Sequence, residues 1–338
     1  MSQINESNSQ IDLGVILFNL GGPETLADVR PFLYNLFSDP DIIQIKNNLL
    51  RRTVAWLIAA TRQGKSRGLY RQIGGGSPLR RITESQAEAL GERLAARGCP
   101  ARVFVGMRCW RPTIDEAAEK IAMLPLKRLV VLPLFPQFSV TTTGSCFNYF
   151  RAVAQRRGLS SRMEISYVKS WYSQPRYLDA MADSICEAQS RFSDKTPGNI
   201  QLLYSAHSIP ARYVDQGDPY LAQTQETVAL INEQLGGSFP WTLAFQSKVG
   251  PVKWLGPATN DVIAQLGRQG IANVLAIPVS FVSDHIETLQ EIDVLYRDLA
   301  REAGIREFHR APALNVNPQF IESLADITLS TIEDAPRH

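Results

Sequence analysis

The stretch Asn273 to Tyr296, NVLAIPVSFVSDHIETLQEIDVLY, changes character in its middle, and that change sets the fold. Val274 to Val279 is an apolar, largely β-branched run interrupted by Pro278, which predicts a strand buried on both faces. Beyond it the pattern is helical. Asp284, Glu287 and Glu291 fall three and four residues apart, so a helix starting near Ser283 stacks their carboxylates along one side, with His285 beside them. Ser283 and Asp284 are both suitable N-caps. Like charges at that spacing destabilise an isolated helix by ~0.2–0.5 kcal/mol per pair, so helix stability does not explain them. A solvated acidic face is the plain alternative. The row begins, however, at the carboxyl end of a buried strand, where open α/β sheets place their ligands, and it is read here as a metal or proton-handling site.

Working outward, the same alternation of buried strand and amphipathic helix fills the chain. Strands are expected at Gly14 to Asn19, Ala101 to Gly106, Arg128 to Leu134 and Ile165 to Val168. Helices are expected at Thr25 to Phe37 with Thr25 as cap, Glu84 to Arg97, Thr113 to Ala122, Asn148 to Arg157 and Tyr177 to Ser190. Thr113 and Glu116 have capping-box spacing. Strands separated by helices imply parallel, doubly wound sheets. An internal echo divides them in two. VILFNLGGP from Val15 parallels LLYSAHSIP from Leu202, and VVLPLFPQFS from Val130 parallels VLAIPVSFVS from Val274. The expected fold is therefore α/β, with two similar Rossmann-like domains, 12–165 and 166–330, facing each other across a cleft. Leu20 falls where the second half has His207, and nothing after Pro133 matches the acidic run. Reactive chemistry belongs to the second half, and Leu20 offers an apolar wall.

Composition sets the outer limits. A chain of 338 residues with 44% hydrophobic and 20% charged residues is that of a globular protein of two domains. Its net charge of +2 does not point to a nucleic-acid partner, and none is expected. The four cysteines, Cys99, Cys109, Cys146 and Cys186, form no Cys-x-x-Cys pair and fit reduced thiols in the cytoplasm. The opening MSQINESNSQ has no apolar core of a secretory signal, and no run reaches the ~18 apolar residues of a membrane span.

Charge is unevenly spread. Between Asp41 and Glu84 there is no acidic residue, while Lys46, Arg51, Arg52, Arg62, Lys65, Arg67, Arg71, Arg80 and Arg81 alternate with Leu49, Leu50, Val54, Trp56, Leu57 and Ile58. Such a basic, apolar lip, about 41–83, suits an anionic membrane surface or an anionic, greasy ligand, against the alternative of a solvated helix face. The glycine turns Gly21-Gly22-Pro23 and Gly74-Gly75-Gly76-Ser77 lack the spacing of a dinucleotide or Walker loop. The second allows close approach to something flat or anionic, or is a surface turn.

His207 stands just past the strand of LLYSAHSIP, where it is either a hydrogen-bonded structural residue or a reactive one. Opening into the same cleft as Glu287, it gives an imidazole opposite a carboxylate. That pairing suits a divalent first-row metal or a base relayed by an acid, and it falls short of a closed structural metal site.

Six stretches in order, NLGGPETLADV, YRQIGGGSPL, PQFSVTTTGS, YSAHSIP, FQSKVGPVKWLGP and SFVSDHIETL, resemble the ferrochelatase family, which inserts ferrous iron into a porphyrin at the end of haem biosynthesis. The resemblance runs from about Leu13 to Leu329. It implies a chelatase-like fold, with His207 and Glu287 as the metal and proton-handling pair and Asp284, His285 and Glu291 as supporting acids and bases. Phe281 and Trp254 line the macrocycle site, and Arg62, Tyr70, Ser77 and Arg108 match positions near the porphyrin or its carboxylates. Cys109 stands where many relatives carry an aromatic residue, and Leu295 where many carry a further acid. Fe²⁺ is implied as substrate rather than cofactor. With no cysteine after Cys186, a C-terminal iron–sulfur cluster is not expected. Protoporphyrin IX is the porphyrin implied, in a cytoplasmic protein with peripheral membrane contact through the lip; a monomer is the working expectation. A tetrapyrrole or metal carrier without turnover, and a phosphate- or nucleotide-binding enzyme, are the competing functions.

Overall fold

The computed structural model describes residues 11–248 and 252–333. Among the described residues, eight strands form two parallel sheets of four. In the first, β1 (Leu13–Asn19), β2 (Ala101–Met107), β3 (Arg128–Pro133) and β4 (Glu164–Tyr167) lie in the order β2-β1-β3-β4. In the second, β5 (Gln201–His207), β6 (Trp241–Gln246), β7 (Asn273–Ile277) and β8 (Glu307–Arg310) repeat it as β6-β5-β7-β8. The sequence echo thus marks topologically equivalent strands, β1 with β5 and β3 with β7. β4 straddles the expected division near residue 165 and completes the first sheet.

Burial explains why these runs are strands. Every residue of β1 and of β7 is buried, as a parallel sheet covered on both faces requires. Val15, Leu17, Val130 and Leu132 of the first sheet join Leu202, Tyr204, Leu275 and Ile277 of the second in one continuous core. The helix Pro318–Glu333 closes it, sending Phe320, Leu324 and Ala325 inward. The two halves are therefore bound through shared apolar packing.

Helices differ from expectation mainly at their starts. The Thr113/Glu116 capping box is present. The first helix begins at Val29, because Thr25 spends its N–H and Oγ on Asp28 Oδ2 in a preceding turn. The third begins at Leu79, ahead of the expected Glu84. The basic segment is largely one helix, Asn48–Gln72, capped by Asn47, whose side chain accepts from the Leu50 N–H. No helix among the described residues is long and apolar enough to cross a membrane.

The two glycine turns have a packing reason. A Cβ on Gly76 would run into the Glu24 carbonyl, and one on Gly22 would collide with Ser77. The close approach that these glycines permit is of one turn to the other.

Candidate functional site

β5 and β7 pair side by side, and the chemistry-bearing residues lie at or just beyond their ends. His207 closes β5, in register with Gln246 at the end of β6. Its N–H donates to Ser280 Oγ at 2.9 Å and its carbonyl accepts from Tyr220 Oη at 2.8 Å, so the backbone beneath the ring is held from two sides. The ring Nδ1 lies 2.8 Å from Glu287 Oε2. A carboxylate only accepts, so Nδ1 carries the hydrogen and the neutral ring keeps its lone pair on Nε2. The His207 side chain is 37% exposed and that of Glu287 24%, which places the pair on the wall of an opening rather than in the core.

The charges are unequal. Burial works against protonated His207, yet Glu287 in contact and Glu291 behind it outweigh burial and raise the imidazole above its ordinary value. Burial likewise opposes ionised Glu287, but His207, His285 and the Ser247 hydroxyl hold it well below the usual carboxylate range. Glu291 moves the other way, raised by burial and by repulsion from Glu287. Neighbouring carboxylates pushed apart in this manner suit one as a permanent anion and the other as a proton carrier. His285 is lowered by burial, and its Nδ1 donates to the Ser283 carbonyl at 3.0 Å, leaving a neutral ring with Nε2 as acceptor.

The acidic row is not one continuous helical face. The helix begins at Ile286, and from Glu287 to Tyr296 it is wound as a π-helix. Asp284 precedes it and is neither its cap nor part of the ladder. Its carboxylate takes Arg310 Nη1 at 3.1 Å, Asn315 Nδ2 at 2.9 Å and Thr288 Oγ1 at 2.9 Å. Those contacts tie the carboxylate to β8, to the loop at Asn315 and to the helix itself. Ser283 is likewise no cap; its Oγ accepts from Gln86 Nε2 at 2.9 Å.

Sequence reading does not single out Gln246, Ser247, Ser280 or Tyr220. Ser247 Oγ lies 2.5 Å from Glu291 Oε2 and 3.1 Å from Glu287 Oε2, and its N–H donates to Glu291 Oε1 at 3.1 Å. It does so at φ 65°, a left-handed conformation that costs a non-glycine residue on the order of 1–3 kcal/mol. Gln246 Nε2 donates to Glu291 Oε2 and to the Glu287 carbonyl, both at 3.1 Å. The available signal is positional: Gln246 and Ser247 stand at the end of β6 as His207 stands at the end of β5.

The first half supplies the facing wall. Leu20, Tyr70 and Cys109 belong to one apolar cluster that reaches Ile286, next to Glu287. Burial, then the nearby Glu287 charge, raises the Tyr70 hydroxyl. Cys109 is 3% exposed, its thiol pushed up to about 12 by burial, and it backs the wall. Arg108 is held by partners within the first half. Its Nη2 pairs with buried Asp39 Oδ2 at 3.0 Å, its Nε donates to Ser145 Oγ at 2.8 Å, and it covers the Tyr149 ring at 4.4 Å. Nη2 and Nε of the guanidinium are thereby taken by protein partners. Ser77 joins the two glycine turns through its N–H, which donates to the Pro23 carbonyl at 2.7 Å, and its Oγ accepts from the Leu79 N–H at 3.3 Å. Arg62 differs from both: it lies over the Phe37 ring at 5.7 Å and has no carboxylate partner among the described residues.

Phe281 stands between the imidazoles, its ring centroid 4.6 Å from that of His285 and 6.2 Å from that of His207, edge-on to each. Trp254 is anchored beside the His207 turn by a bridge to Pro210 and a bond from the Leu255 N–H to the Ile209 carbonyl at 3.0 Å. Residues 249–251 of the stretch that carries it lie outside the described residues, as does His338. Among the described residues no three His, Cys, Asp or Glu side chains form a metal cage.

Known proteins resemble this chain in fold and in sequence. The solved structure of SirB from Bacillus subtilis with Fe3+ superimposes with a TM-score of 0.54 at 14% identity, covering 74% of this chain and 89% of that one, a likeness of fold. A ferrochelatase of Rippkaea orientalis is 49% identical over 325 residues, 96% of this chain and 84% of its own. A ferrochelatase of Gloeobacter violaceus is 49% identical over 322 residues, 95% of this chain and 98% of its own. These relatives do not favour the carrier alternative. The Ferrochelatase family model matches residues 12–332, and with relatives of such identity over nearly the whole length, the chain belongs to the ferrochelatase family.

Proposed function

We propose that His207 and Glu287 carry the proton transfers and the metal handling of the ferrochelatase reaction in this chain. A free-base porphyrin is flat and has two N–H groups at its centre, so iron cannot enter until the ring bends and both protons leave. The 2.8 Å contact between His207 Nδ1 and Glu287 Oε2 carries the reading. Glu287 orients the ring and stabilises its protonated form, which leaves His207 Nε2 as the acceptor of a pyrrole proton. Ser247 Oγ, within reach of both carboxylates, links Glu287 to Glu291, whose raised pKa suits it to take the proton onward. An imidazole and a carboxylate hold a divalent ion loosely, which suits Fe²⁺ as a substrate to be surrendered rather than a resident cofactor.

Protoporphyrin IX is the proposed porphyrin. Its apolar edge matches the Leu20, Tyr70 and Ile286 wall, Phe281 and Trp254 take the ring, and Arg62 is the cation available to a propionate. Holding the ring bent costs ~1–5 kcal/mol, drawn from those remote contacts. The lip is proposed to touch anionic membrane surface as well: Leu49 is 77% exposed, and Leu50, Trp56 and Leu57 are 53%, 52% and 50% exposed on the same helix.

His207→Ala is expected to abolish iron insertion while a free-base porphyrin still binds, measured by porphyrin fluorescence beside a turnover assay. Glu287→Gln keeps volume and removes charge, so it should fold and be inactive. Near-normal turnover by either variant contradicts the assignment.

A further inference from the structure

Arg310, the last residue of β8, has no part in the proton and metal handling above, yet it is tied to the element that performs it. Only 11% of its side chain is exposed. Nε and Nη2 grip Asp293 as a fork, at 2.9 Å to Oδ1 and 2.8 Å to Oδ2, while Nη1 reaches Asp284 Oδ1 at 3.1 Å. Asp284 stands just before the π-helix, and Asp293 lies within it. Asp293 is two residues beyond Glu291, roughly half a turn round, so the grip is on the side of the helix away from the reacting carboxylates. Asp284 passes the restraint on through Thr288 Oγ1 and Asn315 Nδ2. Asn315 in turn accepts at its carbonyl from Gln86 Nε2 at 2.7 Å, which ties this knot to the first half.

Buried ion pairs seldom add net stability over apolar packing, whereas a forked guanidinium fixes orientation well. We propose that Arg310 is a positioning residue for the chelatase reaction. By gripping Asp284 and Asp293 together it sets the rotation and height of the π-helix, and with them the separation of Glu287 from His207. The proposal rests on the reading of that pair as the reacting groups. Arg310 itself touches neither substrate nor metal.

A cavity of about 400 Å³ lies against the clamp, lined by Asp284, Asp293, Arg297, His309 and Arg310 among others, so a small cation from solvent can reach the place of the guanidinium. Arg310→Ala should lower kcat by on the order of tenfold to a hundredfold, the usual effect of a small misplacement. The KM for porphyrin should stay within about threefold, since the loss is confined to the transition state. Millimolar guanidinium ion should restore kcat saturably, and sodium at the same ionic strength should not. Asp293→Asn, which cuts only the helix side of the clamp, should lower kcat in the same sense with its unfolding midpoint little changed, and it carries the test if Arg310→Ala does not fold. A kcat that falls no further than the folded fraction, or a raised KM with kcat intact, overturns the proposal. Glu287→Gln run in parallel separates the two readings. An active Glu287→Gln removes the reacting pair itself, whereas an inactive one beside fully active Arg310→Ala and Asp293→Asn removes only the positioning role.

Discussion

At the scale of single residues, the pair His207 and Glu287 makes stability depend on pH in a definite sense. The native imidazole is raised, so its contribution is complete below its unfolded pKa of about 6.5 and fades as pH rises through the native value. Native Glu287 is lowered, so its contribution is complete above about 4.3 and fades as pH falls through the native value. Glu287→Gln should therefore destabilise most between about pH 4.3 and 6.5, with a smaller deficit above the native His207 pKa, where only the hydrogen bonds of Glu287 remain. Thermal unfolding of both proteins across pH measures it, and a pH-independent difference would contradict the pairing. In the same variant His207 should titrate lower than in the wild type by NMR. Two arginines can be told apart as well. Arg108→Met leaves Asp39 buried without its charge partner and should cost about 3–5 kcal/mol of stability, read by denaturant unfolding. Arg62→Ala should instead raise the porphyrin KM without a comparable loss of stability. Both residues look alike in sequence; only the position of Asp39, far from Arg108 along the chain, distinguishes a structural guanidinium from an available one.

At the scale of elements, two helices set the site and the lip. The spacing of Glu287 and Glu291 was enough to place them on one side of a helix. It could not reveal the π winding, along which Asp293, Gln290 and Tyr296 bond to Arg310, Gln72 and Glu291. Nor could it show that Asp284 falls outside the helix, because Arg310 and Asn315 compete for its carboxylate. The lip helix Asn48–Gln72 is two-faced. Ala55, Ala59 and Tyr70 are buried, and Leu49, Leu50, Trp56 and Leu57 face outward as a stripe. Replacing Leu49, Leu50 and Leu57 by Ser should weaken co-sedimentation with anionic vesicles and leave the unfolding midpoint within a few degrees. Unchanged vesicle binding would remove the membrane role and leave the stripe without that use.

At the scale of the whole molecule, the halves act as one body because they share a core and a polar seam. The helix Pro318–Glu333 buries Phe320 and Leu324 against that core, while Glu322 meets Arg93 and Asp326 meets Arg97 and Arg176. Phe320→Ala should cost about 3–5 kcal/mol and shift the transition of both halves together, followed by circular dichroism, although no site residue lies on that helix. Separate transitions would mean that the core is not shared. By itself the amino-acid sequence determined the alternation of strand and helix, the doubling of the sheet, and the arrival of an imidazole and two acids at strand ends, because hydrophobic period and strand-end chemistry are local properties. Tertiary structure alone decided which polar groups were left free for chemistry. Arg108 and Asp284 are gripped by partners distant in sequence, Cys109 is covered by packing, and Ser247 and Gln246 are brought to the acids in the same way. A hydrogen bond or an ion pair is settled by what lies within about 3 Å, and that is a property of the folded chain.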